Sequence, residues 1–85
     1  NKIINRKITI MKDRISIEIN GIIQEGILAT KDQIKEVSKK YNVDLDLECS
    51  CGEWYCTDEG YEMRCALAND NKCRWFIFSN SRCNP

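Results

Sequence analysis

Residues 49–83 read CSCGEWYCTDEGYEMRCALANDNKCRWFIFSNSRC and carry all six cysteines of the 85-residue chain: Cys49, Cys51, Cys56, Cys65, Cys73 and Cys83. The spacing is C-x-C-x4-C-x8-C-x7-C-x9-C. So many thiols in so short a chain serve a metal, a redox reaction or disulfides. Structural zinc is usually held by two C-x2–4-C pairs that converge on one ion at about 2.3 Å. Only Cys51-x4-Cys56 approaches that form, no second pair accompanies it, and no histidine is available for a mixed site. The C-x-x-C redox motif and the C-x-x-C-H haem attachment are absent. An even cysteine count without these motifs points to three disulfides formed in an oxidising compartment. Connectivity stays open, because six cysteines allow 15 pairings. Cys49 and Cys51 are too close in sequence to bond without strain, so each is expected to reach a later cysteine.

The same stretch sets the register of a hairpin. Tyr61, Met63, Cys65 and Leu67 alternate with Glu62, Arg64 and Ala66, which predicts a strand over residues 61–67. A helix starting at Asp58 is the weaker competitor. Residues 73–79 are the last strand. If Asn69-Asp70-Asn71 is a three-residue loop, Leu67 opposes Cys73, Cys65 opposes Trp75 and Met63 opposes Ile77. A slip of one residue would set Leu67 against Arg74. The asparagines suit the left-handed backbone that such a loop requires. In this register Trp75 and Ile77 turn inward, while Phe76 and Phe78 turn away. Either a second layer, such as the N-terminal hairpin, covers Phe76 and Phe78, or they form an exposed apolar patch that marks an interface. Residues 50–57 form a stapled loop with Trp54 and Tyr55, and residues 80–85 are a tail tied down by Cys83.

Upstream, Val43, Leu45, Leu47 and Cys49 alternate with Asp44, Asp46 and Glu48, so residues 43–49 are expected to be a strand. Residues 30–41 read as a helix. Thr30 is its N-cap and Gln33 completes a capping box. Ile34, Val37 and Tyr41 share a face, Lys39 and Lys40 favour the negative end of the helix dipole, and Asn42 ends it in a left-handed conformation. The isoleucine-rich start predicts strands over residues 7–11, 14–19 and 22–24. Lys12-Asp13 would form one turn. Asn20-Gly21 would form a type I′ turn, because both residues accept positive φ. Gly26 is expected to break the chain or form a bulge. The whole is one α+β domain over residues 1–85, a mainly antiparallel sheet with the helix on one face.

Thirteen basic residues balance thirteen acidic ones, which argues against a nucleic-acid binder, since phosphate pairing needs a basic excess. The charge is segregated. Residues 1–14 carry five basic side chains and one acid, whereas residues 42–62 carry seven acids and no base. No apolar run is long enough to span a bilayer, and no N-x-S/T sequon is present. The chain opens at Asn1 without Met, which is expected of an extracellular or periplasmic protein whose export signal has been removed.

Catalytic chemistry finds little support. No histidine can act as a base, paired cysteines are not thiolates, and no phosphate-binding glycine loop is present. The reading is therefore no enzyme, no cofactor and no resident metal. Asp44, Asp46 and Glu48 on an extended strand lie about 7 Å apart, too spread for calcium, and read as a solvated face. The expected function is a disulfide-stabilised binding module of inhibitor, immunity or cell-surface type that recognises a protein partner with a basic surface. Its candidate contacts are Glu53, Trp54, Tyr55, Asp58, Glu59 and Glu62, with Phe76 and Phe78 if they are exposed. Alternatives are a structural subunit of an extracellular assembly that pairs through its N-terminal strands, and an intracellular zinc-binding domain.

Overall fold

The computed structural model describes residues 14–84. Asn20 and Gly21 take φ of 55° and 83°, and this positive pair closes the first hairpin. It joins β1 (Arg14–Ile19) to β2 (Ile22–Leu28). The chain then enters α1 (Lys31–Tyr41) and returns through β3 (Trp54–Cys56), β4 (Tyr61–Leu67) and β5 (Cys73–Arg82). The five strands form one antiparallel sheet in the order β1-β2-β5-β4-β3. With one helix packed on it, this is a small α+β domain. The strand expected at residues 7–11 lies outside the described residues.

The β4–β5 register is the expected one: Leu67 faces Cys73, Cys65 faces Trp75 and Met63 faces Ile77. Asn71 supplies the left-handed residue at φ 67°, and the Ala68 amide donates to the Lys72 carbonyl at 2.8 Å to close the loop. The pleat then sorts the side chains into two cores. On the helix side, Met63, Cys65 and Trp75 bury against Ala29, Ile34 and Val37. On the other side, Phe76 and Phe78 bury with Ile15 and Ala68, flanked by Ile17, Leu28 and Ala66.

Phe76 and Phe78 are both 0% exposed. They are core residues and form no surface patch, which removes them as partner contacts. The largest apolar side chains of a small domain are its most useful core material. β1 and β2 extend the same sheet and do not form a separate layer above it.

Gly26 neither breaks β2 nor bulges it. It pairs with Ile15 inside a strand that runs on to Leu28, beyond the expected end at residue 24. A Cβ at Gly26 would lie 2.5 Å from the Phe78 ring. The glycine is there because an aromatic ring covers the backbone, a recognised reason for glycine inside a strand.

Residues 43–49 are not a strand. Thr30 caps α1 with the full capping box, and Asn42 ends it at φ 56° in the left-handed region. That reversal returns the chain along the helix end. The Val43 amide donates to the Ser38 carbonyl at 3.0 Å, and the Leu45 amide to the Ser38 hydroxyl at 3.3 Å. β4 already has β3 on one edge and β5 on the other, so no ladder is open to this segment there. Among the described residues, its strand-like pairing with the sheet is a single bridge from Glu48 to Arg74. Arg74 pairs with Ala66 on the β4 side, so Glu48 takes the edge that β2 leaves. The place beside β4 goes instead to β3, inside the stretch read as a loop, with Trp54, Tyr55 and Cys56 opposite Arg64, Met63 and Glu62. β5 continues past residue 79 to Arg82, after a register shift at Tyr61/Glu62.

Candidate functional site

Three disulfides fix the second half of the chain: Cys49–Cys65, Cys51–Cys73 and Cys56–Cys83. As expected, Cys49 and Cys51 each reach a later cysteine. Together they clip the C-x-C loop to both strands of the β4–β5 hairpin, while the third bond ties Cys83, just past β5, to β3. Backbone bonds reinforce the first two clips. The Gly52 amide donates to the Cys65 carbonyl at 2.9 Å, and the Cys65 amide donates to the Glu53 carbonyl at 2.9 Å.

This frame shapes an open cleft of about 500 Å³ between the residue 43–48 loop and the start of β3. Its walls carry Asp44, Asp46, Glu48 and Glu53, and its apolar lining includes Leu45, Tyr55 and Trp75. Among the described residues, no basic side chain lines it. The loop is held over the sheet because the Trp75 indole N–H donates to the Asp46 carbonyl at 3.0 Å. The aromatic base is itself fixed in a row, with ring centroids 4.9 Å apart for Tyr41–Tyr55 and 5.8 Å for Tyr55–Trp75.

The helix end locks this region to β3. The Cys56 amide donates to the Tyr41 hydroxyl at 3.1 Å. The Lys40 ammonium donates to the carbonyls of Cys56 at 2.9 Å and Thr57 at 3.3 Å, and lies 3.7 Å from Asp58. Thr57 is buried, and its hydroxyl accepts from the Tyr61 amide at 3.0 Å to close the turn that presents Asp58 and Glu59.

The residues singled out from the sequence do not form one face. Glu53 and Tyr55 line the cleft, Glu53 exposed and Tyr55 half-buried. Trp54 is 51% exposed but lies between them on β3, so the pleat turns it to the opposite side. Asp58 and Glu59 are exposed on the β3–β4 turn. Glu62 is mostly covered and paired with the Arg64 guanidinium, so its charge is spent within the fold. Asp44, Asp46 and Glu48 are exposed, as expected, but on a loop instead of a strand, and they are three of the ten described residues that line the cleft. The signal for them was the helix end: a left-handed Asn42 turns the following alternation into a loop that curls back. Among the described residues, the cleft carboxylates form no set of three or more donor atoms close enough to hold an ion.

At the turn end of the β4–β5 hairpin, where it is bridged to Glu48, Arg74 donates to Asp70 at 2.7 Å. That bond holds the Asp70 carboxyl below the usual carboxylate range and raises Arg74.

No protein-family model matches the chain, and no curated protein or solved structure matches it at a significant level. The functional reading therefore rests on the site itself. Three disulfides in a domain of this size fit a disulfide-stabilised extracellular module, and no described helix is long and apolar enough to cross a membrane.

Proposed function

We propose that this domain is a recognition module of an oxidising compartment and acts by binding a basic segment of a partner protein in the cleft. One observation carries the reading. A chain of zero net charge gathers Asp44, Asp46, Glu48 and Glu53 around an aromatic floor, with no basic side chain among the described residues that line it. Such a field attracts and orients a lysine- or arginine-bearing segment, and the half-buried Tyr55 offers a ring face to a cation or its aliphatic stem. The disulfide frame keeps the cleft formed before binding, so little ordering entropy is lost when it is filled.

The test is an NMR titration with a lysine- and arginine-rich peptide and with its acidic counterpart. The basic peptide should shift the amides of residues 44–55, more strongly in low salt than at 0.5 M. The D44N/D46N/E48Q/E53Q variant should lose those shifts. Shifts confined to Trp54 and the Asp58–Glu59 turn would move the site to the other side of β3, and none at all would refute the reading.

A second reading has its own observation. On the first hairpin, Ile22, Ile23 and Ile27 are 64%, 75% and 47% exposed. An apolar strand pair of this kind suits a structural subunit that packs against a neighbour. Sedimentation separates the two: concentration-dependent association favours the subunit, a monomer at high concentration the recognition module.

A further inference from the structure

We propose that the sulfurs of Cys49, Cys51, Cys65 and Cys73 form a second-state metal site, which binds one thiophilic divalent cation of the zinc class when their two disulfides are reduced. The inference does not rest on the proposed partner, although Cys49 also lines the cleft.

It starts from sulfur positions that the linear spacing conceals. The Sγ atoms of Cys51, Cys65 and Cys73 all lie within 4.8 Å of one another. Cys49 is bonded to Cys65, so its sulfur lies next to that trio. Two disulfides thus lie side by side, with three of their sulfurs mutually close and the fourth, on Cys49, one bond away from Cys65. A tetrahedral zinc–thiolate centre has metal–sulfur distances of about 2.3 Å, which places its sulfurs roughly 3.8 Å apart. Reduction frees the cysteine side chains to rotate, and such rotation would bring the four sulfurs onto one ion.

The backbone that carries these cysteines is held by more than the disulfides. Cys65 and Cys73 lie on the β4–β5 ladder, where Cys73 is paired with Leu67. The C-x-C loop is bound to Cys65 through Gly52 and Glu53, and the Glu53 amide donates to the Ser50 carbonyl at 3.1 Å. These bonds hold two cysteines on each side when the sulfur links open. Cys65 is buried, Cys49 and Cys73 are half-buried, and Cys51 is exposed, so the cluster opens to solvent on one side. That side admits the ion and hydrates the residual negative charge of a four-thiolate centre. Cys56 and Cys83 belong to the remaining disulfide and take no part.

The chemistry balances with a dithiol as reductant. Each protein disulfide accepts two electrons and two protons and becomes two thiols, while one dithiol is oxidised to its own disulfide. Two such exchanges free four thiols, and binding one divalent cation releases their four protons.

The test uses the full chain reduced with a phosphine, which is oxidised to its oxide with oxygen from water. Cobalt(II) serves as a spectroscopic probe and zinc as its competitor. One equivalent of cobalt should give the intense thiolate charge-transfer and visible bands of a tetrahedral four-sulfur centre, and zinc should bleach them. Alkylation of the reduced, zinc-loaded chain followed by mass spectrometry should modify Cys56 and Cys83 and spare the other four. The C51S/C73S variant should lose the cobalt bands. Alkylation of all six cysteines in the presence of zinc would overturn the proposal, as would protection that includes Cys56 or Cys83. A reduced chain that stays unfolded and shows no cobalt bands would overturn it as well.

Discussion

Gly26 has no side chain because the Phe78 ring occupies the place a Cβ would take. Gly26→Ala puts a methyl group into a ring that is 0% exposed and cannot move into solvent. Overpacking of this kind costs about 1–3 kcal/mol, which urea denaturation should register as a lower midpoint at unchanged slope. A neutral result would mean that the ring can shift. The Asp70–Arg74 pair is the other residue-scale case. The folded chain holds the Asp70 carboxyl below its usual range, chiefly through the Arg74 hydrogen bond. A depressed carboxylate stabilises the fold above its unfolded value, roughly pH 4, and this contribution is lost as the pH falls through the folded value. An NMR titration of the Asp70 carboxyl should therefore show a low midpoint that rises in Arg74→Gln. Neither role was legible in the sequence. A glycine among isoleucines looks like a break until the partner strand is known, and Asp70 looks like any other loop acid.

At the scale of the element, local signals were reliable wherever a segment's own chemistry decided its conformation. Thr30, Gln33 and Asn42 cap α1 through contacts within a few residues, and Asn20-Gly21 and Asn71 need only their own tolerance of positive φ. The β4–β5 register was readable because a slip would expose one core and bury charge. Residues 43–49 misled because alternation shows which residues prefer burial, not whether a ladder is open. Leu45 alone of the three aliphatic residues packs at a core margin, while Val43 and Leu47 are 39% and 50% exposed. Between its Ser38 bonds and the Glu48 bridge, the middle of the loop is held to the sheet by the Trp75 indole N–H. Trp75→Phe keeps the ring packing but removes the bond to the Asp46 carbonyl, a loss of about 1 kcal/mol. Hydrogen exchange at Leu45 and its neighbours should accelerate while β4 and β5 stay protected. Unchanged exchange there would mean that Ser38 and the Glu48 bridge suffice to hold the loop.

For the molecule as a whole, the cysteines indicated a stapled second half but not which sulfur met which. The pairing depends on tertiary contacts: the β4–β5 ladder brings Cys65 and Cys73 near each other, and the C-x-C loop docks across both. The same contacts create the acidic cleft, so its members scatter from residue 43 to residue 75 in the sequence. Each disulfide closes a loop of 16 to 27 residues, worth about 3 kcal/mol by chain entropy. That is a large share of the stability of a small domain. Cleft and sulfur cluster both require this one pattern. The most direct measurement is non-reducing digestion of native protein, with tandem mass spectrometry that cuts between Cys49 and Cys51. The expected result is Cys49–Cys65, Cys51–Cys73 and Cys56–Cys83 with no free thiol. Six free thiols, or a bond joining the Cys56–Cys83 pair to the other four cysteines, would contradict the frame on which the cleft depends.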